Sequence, residues 1–210
     1  DEESLTLYHN TSVETARRLR LDRLQDALQG VRYAELAWGD YDGDGDIDLV
    51  VAGMTPDGNS QTLLYRNSRG VLAIDEINSD QILGVHNGDL AWADYDNDGD
   101  LDLSISGDNV TYSGGGIVPE IRFYKNHPQG SLGLDLVLST PLEENLAGVR
   151  RGSLAWGDYD GDGDLDLFVT NGDHLGQQAN MLFGNNGDGT FTNDIASSMN
   201  VAHTGNGRGA

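Results

Sequence analysis

Apolar residues along this chain fall in short runs, most of them roughly four to eight residues long, each closed by a cluster of Asp, Gly or Asn. Runs of that length are too short for ordinary helices and read as strands separated by tight turns. Aligned on tryptophan, the pattern repeats: ELAWGDYDGDGDIDLVVAG from Glu35, DLAWADYDNDGDLDLSISG from Asp89 and SLAWGDYDGDGDLDLFVTNG from Ser153. A second block follows each, TLLYRN from Thr62, IRFYKN from Ile121 and NMLFGNN from Asn180, and its aromatic residue (Tyr65, Tyr124, Phe183) recurs every 59 residues. A period of this size points to solenoids, propellers or arrays.

Within a repeat, LAWGD predicts a first strand, an Asp-rich loop turns the chain, and IDLVVAG predicts a second strand. TLLYRN predicts a third, and VLAIDEI, LGLDLVL or TFTNDIA a fourth. Turns such as NNGDGT at 185–190 are rich in residues that tolerate positive φ. The expected fold is all-β, with β-propeller blades of four antiparallel strands and about three and a half repeats. Residues 1–29, opening with LTLYHN, read as the second half of a preceding blade. Residues 30–83, 84–147 and 148–200 read as blade repeats, and 201–210 as the lead-in to the next. Residues 12–30 also carry Leu19, Leu24 and Leu28 at helix-compatible spacing, but later repeats lack it, so strand plus loop is expected there. Inserts at 54–61, 108–120 and 171–179 vary in length and are the expected places for partner contact.

The loops between first and second strands carry the chemistry. They supply Asp40, Asp42, Asp44, Asp46 and Asp48, then Asp94, Asp96, Asp98, Asp100 and Asp102, then Asp158, Asp160, Asp162, Asp164 and Asp166. Carboxylates at alternate positions of a curled loop can converge on one hard cation, and six to eight oxygen ligands suit Ca²⁺. Gly45, Gly99 and Gly163 stand at loop position 6, where the chain must turn sharply. Two carboxylates ~5 Å apart repel by roughly 3 kcal/mol at an effective dielectric near 20, so without a cation each loop is under stress. Magnesium, which keeps its waters, and zinc, with no Cys and no His near any loop, fit less well. An EF-hand needs Glu at position 12, where Val51, Ile105 and Val169 stand instead. A nonapeptide calcium roll is excluded because the loops recur at intervals of 54 and 64 residues. Three Ca²⁺ sites are therefore expected.

The loops also explain most of the charge. The formal net charge is −23, but 15 of the 35 acidic residues lie in the loops, leaving 20 against 12 basic ones. Three calcium ions would bring the total to −17, and the remaining excess argues against nucleic acid or anionic membrane as partners. One Lys against 11 Arg on an acidic background suits a high-salt host, which melting measured against KCl would test. With no Cys, disulfides contribute nothing. No apolar run approaches a membrane span, and DEESLTLY lacks the features of a signal peptide.

These residues resemble the FG-GAP and VCBS repeat family, the calcium-bearing propeller repeats of integrin α subunits and many secreted bacterial proteins. The resemblance implies that side chains at loop positions 1, 3, 5 and 9 are ligands. Asp46, Asp100 and Asp164 would then coordinate through their carbonyls. It also implies a seven-bladed propeller, of which this chain would be a fragment, or an incomplete propeller that self-associates. A non-catalytic, extracellular or cell-surface adhesion module binding a protein or carbohydrate partner follows from the same likeness. A lectin or a calcium-dependent polysaccharide lyase is the alternative, although no cluster of Lys, Arg, Tyr or His suggests a catalytic base.

Other residues receive plainer expectations. Trp38, Trp92 and Trp156 should pack between blades, and Tyr41, Tyr95 and Tyr159 should cover the metal sites. His9, His86, His127, His174 and His203 share no repeat position and should be solvated. Arg150 and Arg151 should form surface ion pairs, and Asn10 and Asn109 begin glycosylation sequons that matter only in a eukaryotic secretory host.

Overall fold

A computed structural model describes residues 4–10, 21–110, 117–127, 133–136, 151–172, 180–187 and 190–193. Within these residues the molecule is all-β, built from antiparallel four-stranded sheets in which each strand pairs with its neighbour in sequence. Strands β1 (Ser4–Asn10) and β2 (Leu21–Gln29) form a two-stranded sheet. The first four-stranded sheet holds β3 (Arg32–Gly39), β4 (Asp48–Met54), β5 (Ser60–Ser68) and β6 (Val71–Ile74). The second holds β7 (His86–Ala93), β8 (Asp102–Asn109), β9 (Val118–His127) and β10 (Gly133–Leu136). The third holds β11 (Leu154–Gly157), β12 (Asp166–Val169), β13 (Met181–Asn185) and β14 (Phe191–Asn193).

One cross-strand row recurs in all three sheets. Trp38, Leu49, Tyr65 and Ile74 stand side by side in the first, Trp92, Leu103, Tyr124 and Leu136 in the second, and Trp156, Leu167, Phe183 and Asn193 in the third. Because side chains alternate along a strand, each central strand presents two apolar faces. Leu49 and Val51 of β4 pack with Leu63, Tyr65 and Leu72 against Leu28 of β2. Their neighbours Val50 and Ala52 pack with Leu64 against Leu90, Leu103, Ile105 and Tyr124 of the next sheet. Tyr95 and Phe123 meet Leu154, Leu167, Val169, Met181, Phe183 and Phe191 at the third interface. The sheets thus stack face to face in chain order, and a continuous apolar run such as LVVA at 49–52 is buried on both sides.

The first strands of neighbouring sheets, β3 and β7, pack side by side. Two phenol hydroxyls of third strands hold the chain that leads into their own sheet: Tyr65 accepts from the Gln29 amide at 3.2 Å and Tyr124 from the Leu83 amide at 2.8 Å. Phe183 holds the same place without a hydroxyl to offer.

The expected fourth strand VLAIDEI ends early. β6 stops at Ile74, and Asp75 caps one helical turn, α1 (Glu76–Ser79), by accepting the Asn78 amide at 3.1 Å. That carboxylate also accepts the Tyr41 hydroxyl at 2.7 Å, so Asp75 is held by a tertiary contact as well as a local one. For residues 12–30, β2 shows strand over 21–29, and 11–20 lie outside the described residues. The segment 201–210 and Arg150 lie outside them too.

Candidate metal sites in the three acidic loops

Each loop leaves its first strand at a Gly or Ala and returns into the second strand at its fifth aspartate. Gly45, Gly99 and Gly163 have φ of 92°, 98° and 100°, a region that L side chains rarely adopt, and this is why position 6 must be glycine. Their amides donate to the first aspartate of the same loop, Asp40, Asp94 and Asp158, at 3.0, 3.0 and 3.2 Å. Further amides fold back on loop side chains: Asp44 donates to Asp42, and Asp46 to Asp44. These bonds wind an acidic segment into a tight coil.

The coil brings together carboxylate oxygens from positions 1, 3 and 9. Asp40, Asp42 and Asp48 lie within 4.8 Å of one another, as do Asp94, Asp96 and Asp102, and Asp158, Asp160 and Asp166. The position-5 residues Asp44, Asp98 and Asp162 do not join these triplets. Position 7 turns its side chain elsewhere in two loops: Asp46 accepts the Arg69 amide at 2.7 Å, and Asp164 accepts the Asn97 side-chain amide at 2.6 Å.

The ninth-position residue anchors each site. Asp48, Asp102 and Asp166 are all but fully buried. In each, Oδ2 accepts the amide of the loop tyrosine (Tyr41, Tyr95, Tyr159) at 3.1, 3.2 and 2.9 Å. Oδ1 accepts the amide of a third-strand asparagine (Asn67, Asn126, Asn185) at 2.7, 2.8 and 2.8 Å. Burial pushes the Asp48 carboxyl up to about 6 against the pull of the Asn67 amide, with Asp42 adding to the rise. For Asp102, burial opposed by the Asn126 amide and aided by Asp96 pushes it up to about 7. Each is therefore ionised less readily than an ordinary aspartate, and positive charge nearby would favour its ionised form.

Two further oxygens call for such a charge. Oδ1 of Asp40 and Oδ1 of Asp96 are buried and accept no hydrogen bond among the described residues. An unsatisfied buried carboxylate oxygen is costly, and a cation between the three carboxylates would satisfy it. The donor set, all hard oxygen, fits Ca²⁺.

Two of the loop tyrosines also join one sheet to the next. Tyr41 stacks on Trp92 of the following sheet (centroids 6.1 Å apart, planes at 13°), and Tyr95 stacks on Trp156 (5.7 Å, 14°). Trp92 lies so close over Gly39 that a Cβ there would stand 2.7 Å from the indole. Trp92 and Trp156 thus pack between sheets as expected, whereas Trp38 is 47% exposed, with no loop tyrosine stacked on it among the described residues. Tyr159 is likewise 46% exposed.

His86 corrects another expectation. It is 2% exposed, its Nδ1 lies 2.8 Å from Ser60 Oγ, and its ring tilts against Tyr33. The Ser60 hydroxyl also accepts the Val110 amide, so the group ties the start of β5 to the end of β8. A periodicity argument could not find it, because the other repeats place no histidine there. Side chains of His9, His127, His174 and His203 lie outside the described residues. The periodic Asn67, Asn126 and Asn185 were a signal available in the sequence that spacing of acidic residues alone passed over.

Residues 40–105 match the sequence model of a family described as FG-GAP-like repeat. The match runs from the first aspartate of the first loop into β8, so this stretch is similar to an FG-GAP-like repeat. No curated protein matches the chain. Among the described residues, no helix is long and apolar enough to cross a membrane.

Proposed function

We propose that the protein is a calcium-stabilised β-propeller module whose sheets are blades and whose role is to bind a partner rather than to catalyse a reaction. The observation that carries this reading is the convergence, in all three loops, of carboxylates from positions 1, 3 and 9 to within 4.8 Å. The buried, unsatisfied oxygens of Asp40 and Asp96 support a bound cation over an empty acidic turn. When bound, calcium would supply positive charge that favours the ionised forms of the buried Asp48 and Asp102. The protein supplies the rest: glycine-permitted turns, a ninth aspartate held by two amides, and a fixed loop tyrosine.

Partner contact falls to the opposite ends of the second strands. The first insert is a turn closed by Thr55 and Asn59, whose backbone groups bond at 2.9 Å. It joins the second insert directly, through the Ser60 amide on the Val110 carbonyl at 3.1 Å and the Val110 amide on Ser60 Oγ at 2.8 Å. Adjacent inserts therefore form one continuous surface, as suits recognition of a protein or glycan by loops on a rigid scaffold. Residues 111–116 and 173–179 of the later inserts lie outside the described residues. Loops whose position-5 residues Asp44 and Asp98 face solvent suit the weaker calcium sites of extracellular modules, whose dissociation constants run about 10⁻⁴ to 10⁻³ M. An extracellular or cell-surface setting is part of the proposal.

Calorimetric melting in EGTA and in excess calcium tests the central point. At a thousandfold excess over its dissociation constant each ion adds about 4 kcal/mol to folding, so the melting temperature should rise by many degrees. An unchanged melt would falsify the calcium reading. A glycan array and a lyase assay on uronate polymers then separate protein partner, lectin and lyase: turnover would overturn the non-catalytic assignment.

A further inference from the structure

The third strand of each sheet carries the same three-residue block facing its loop: an aromatic residue, a variable residue and an asparagine. The variable residue is Arg66 on β5, Lys125 on β9 and Gly184 on β13. In the first sheet Arg66 Nε lies 2.5 Å from Oδ2 of Asp42, whose side chain is 1% exposed. In the second the Lys125 ammonium contacts Asp96 and lies 3.3 Å from Asp98, so it touches loop positions 3 and 5 together. Lys125 is the only lysine in the chain. In the third sheet Gly184 offers no side chain, and Asp158 and Asp160 are exposed.

Among the described residues, two loops therefore hold a covalently attached monocation on a carboxylate that a metal ion would need, and one does not. A divalent ion entering the first or second loop must break an ion pair and then sit beside a displaced positive charge. In the third loop it meets neither obstacle. We propose that this third-strand residue sets the calcium affinity of each loop. Arg66 and Lys125 act as tethered competitors of the ion, and Gly184 leaves the third loop uncontested. The sites then fill in order: third loop, first loop, second loop, because Lys125 engages two carboxylates where Arg66 engages one. This rests on the calcium reading above and adds to it an order of occupancy.

The test is a chelator-competition titration of the whole chain with calcium at low ionic strength, which returns three dissociation constants. Lys125→Met should tighten the weakest constant about tenfold, the scale of one unit charge a few ångströms from a divalent ion in a largely solvated site. Lys125→Arg should leave it weak, and Gly184→Lys should weaken the tightest constant by a similar factor. The Lys125→Met gain should shrink in about 1 M KCl, since screening removes a charge effect but not a packing effect. Circular dichroism of each calcium-loaded variant checks that the fold is kept. Constants unmoved by Lys125→Met, or moved equally by Lys125→Arg, would overturn the competitor role while leaving the calcium reading intact. Absence of calcium uptake by the unsubstituted protein would instead remove the calcium reading, and this inference with it.

Discussion

The ninth-position aspartates show what a single residue does here. Asp102 is buried at 1% exposure and both its oxygens are already engaged by main-chain amides of Tyr95 and Asn126. It is an anchor of the loop before it is a ligand. Asp98, exposed and outside the carboxylate triplet, instead accepts the Asp100 amide at 3.2 Å and lies 3.3 Å from the Lys125 ammonium. Asp102→Ala should therefore cost about 2–4 kcal/mol in calcium-free protein, because two amides lose their acceptor, and should lose the second site besides. Asp98→Ala should leave calcium-free stability within about 0.5 kcal/mol. Urea unfolding with and without calcium distinguishes them. The pKa values add a dependence on pH. The unfolded chain releases the protons of Asp48 and Asp102 near pH 4, whereas the metal-free fold holds them to about 6 and 7. Between these values the fold binds more protons than the unfolded chain, so the stability they contribute is full below about pH 4 and is lost as pH rises to about 7. Calcium-free protein should show a falling urea midpoint over that window, and excess calcium should abolish the fall. A flat profile without calcium would count against the buried, uncompensated state of these two residues.

At the scale of elements, much was legible and the reasons are local. Four strands per repeat follow from short apolar runs between Asp, Gly and Asn clusters, and the loops follow from carboxylates at alternate positions with glycine at the sixth. What escaped depended on contacts between repeats. The one-turn helix Glu76–Ser79 is fixed by Asp75, whose second partner is Tyr41, 34 residues earlier. The tyrosine–tryptophan stacks join one repeat's loop to the next repeat's first strand, a pairing that repeat alignment within the sequence does not reveal. They also give a contrast among three residues that look equivalent in sequence. Trp156 contacts Tyr95, Phe123 and Phe191 at centroid distances of 5.7, 6.2 and 6.1 Å, and its indole nitrogen donates to Ser104 at 3.0 Å. Trp38, half exposed, has no ring contact of this kind among the described residues. Trp156→Ala should destabilise by about 3–5 kcal/mol. Trp38→Ala should cost about 1 kcal/mol. Equal losses in chemical unfolding would contradict the assignment of the stack as an inter-sheet joint.

Across the whole molecule, the three loops are not independent. Asp48 accepts the Tyr41 amide, the Tyr41 carbonyl accepts the Asn126 side-chain amide at 2.5 Å, and the Asn126 backbone amide donates to Asp102. The same path continues from Asp102 through the Tyr95 peptide and Asn185, at 2.6 Å, to Asp166. One line of peptide and side-chain hydrogen bonds thus runs from the first acidic loop to the third, alongside the stacked rings. Asn67 holds the same repeat position but its side chain stays within its own sheet, donating to the Ile47 carbonyl and accepting the Gly70 amide, both at 2.8 Å. The two asparagines therefore separate a bond within a sheet from a bond between sheets. Asn126→Ala leaves the Tyr41 carbonyl without that buried donor and should cost about 1–3 kcal/mol, with faster hydrogen exchange at amides of both the first and second loops. Asn67→Ala removes two exposed bonds and should cost about 0.5–1 kcal/mol, with any change in exchange confined to the first loop and the Gly70 turn of the same sheet. If Asn126→Ala altered exchange only in its own sheet, the bridging bond would be incidental to stability. The loops would then be staples of single sheets, not joints in a stack.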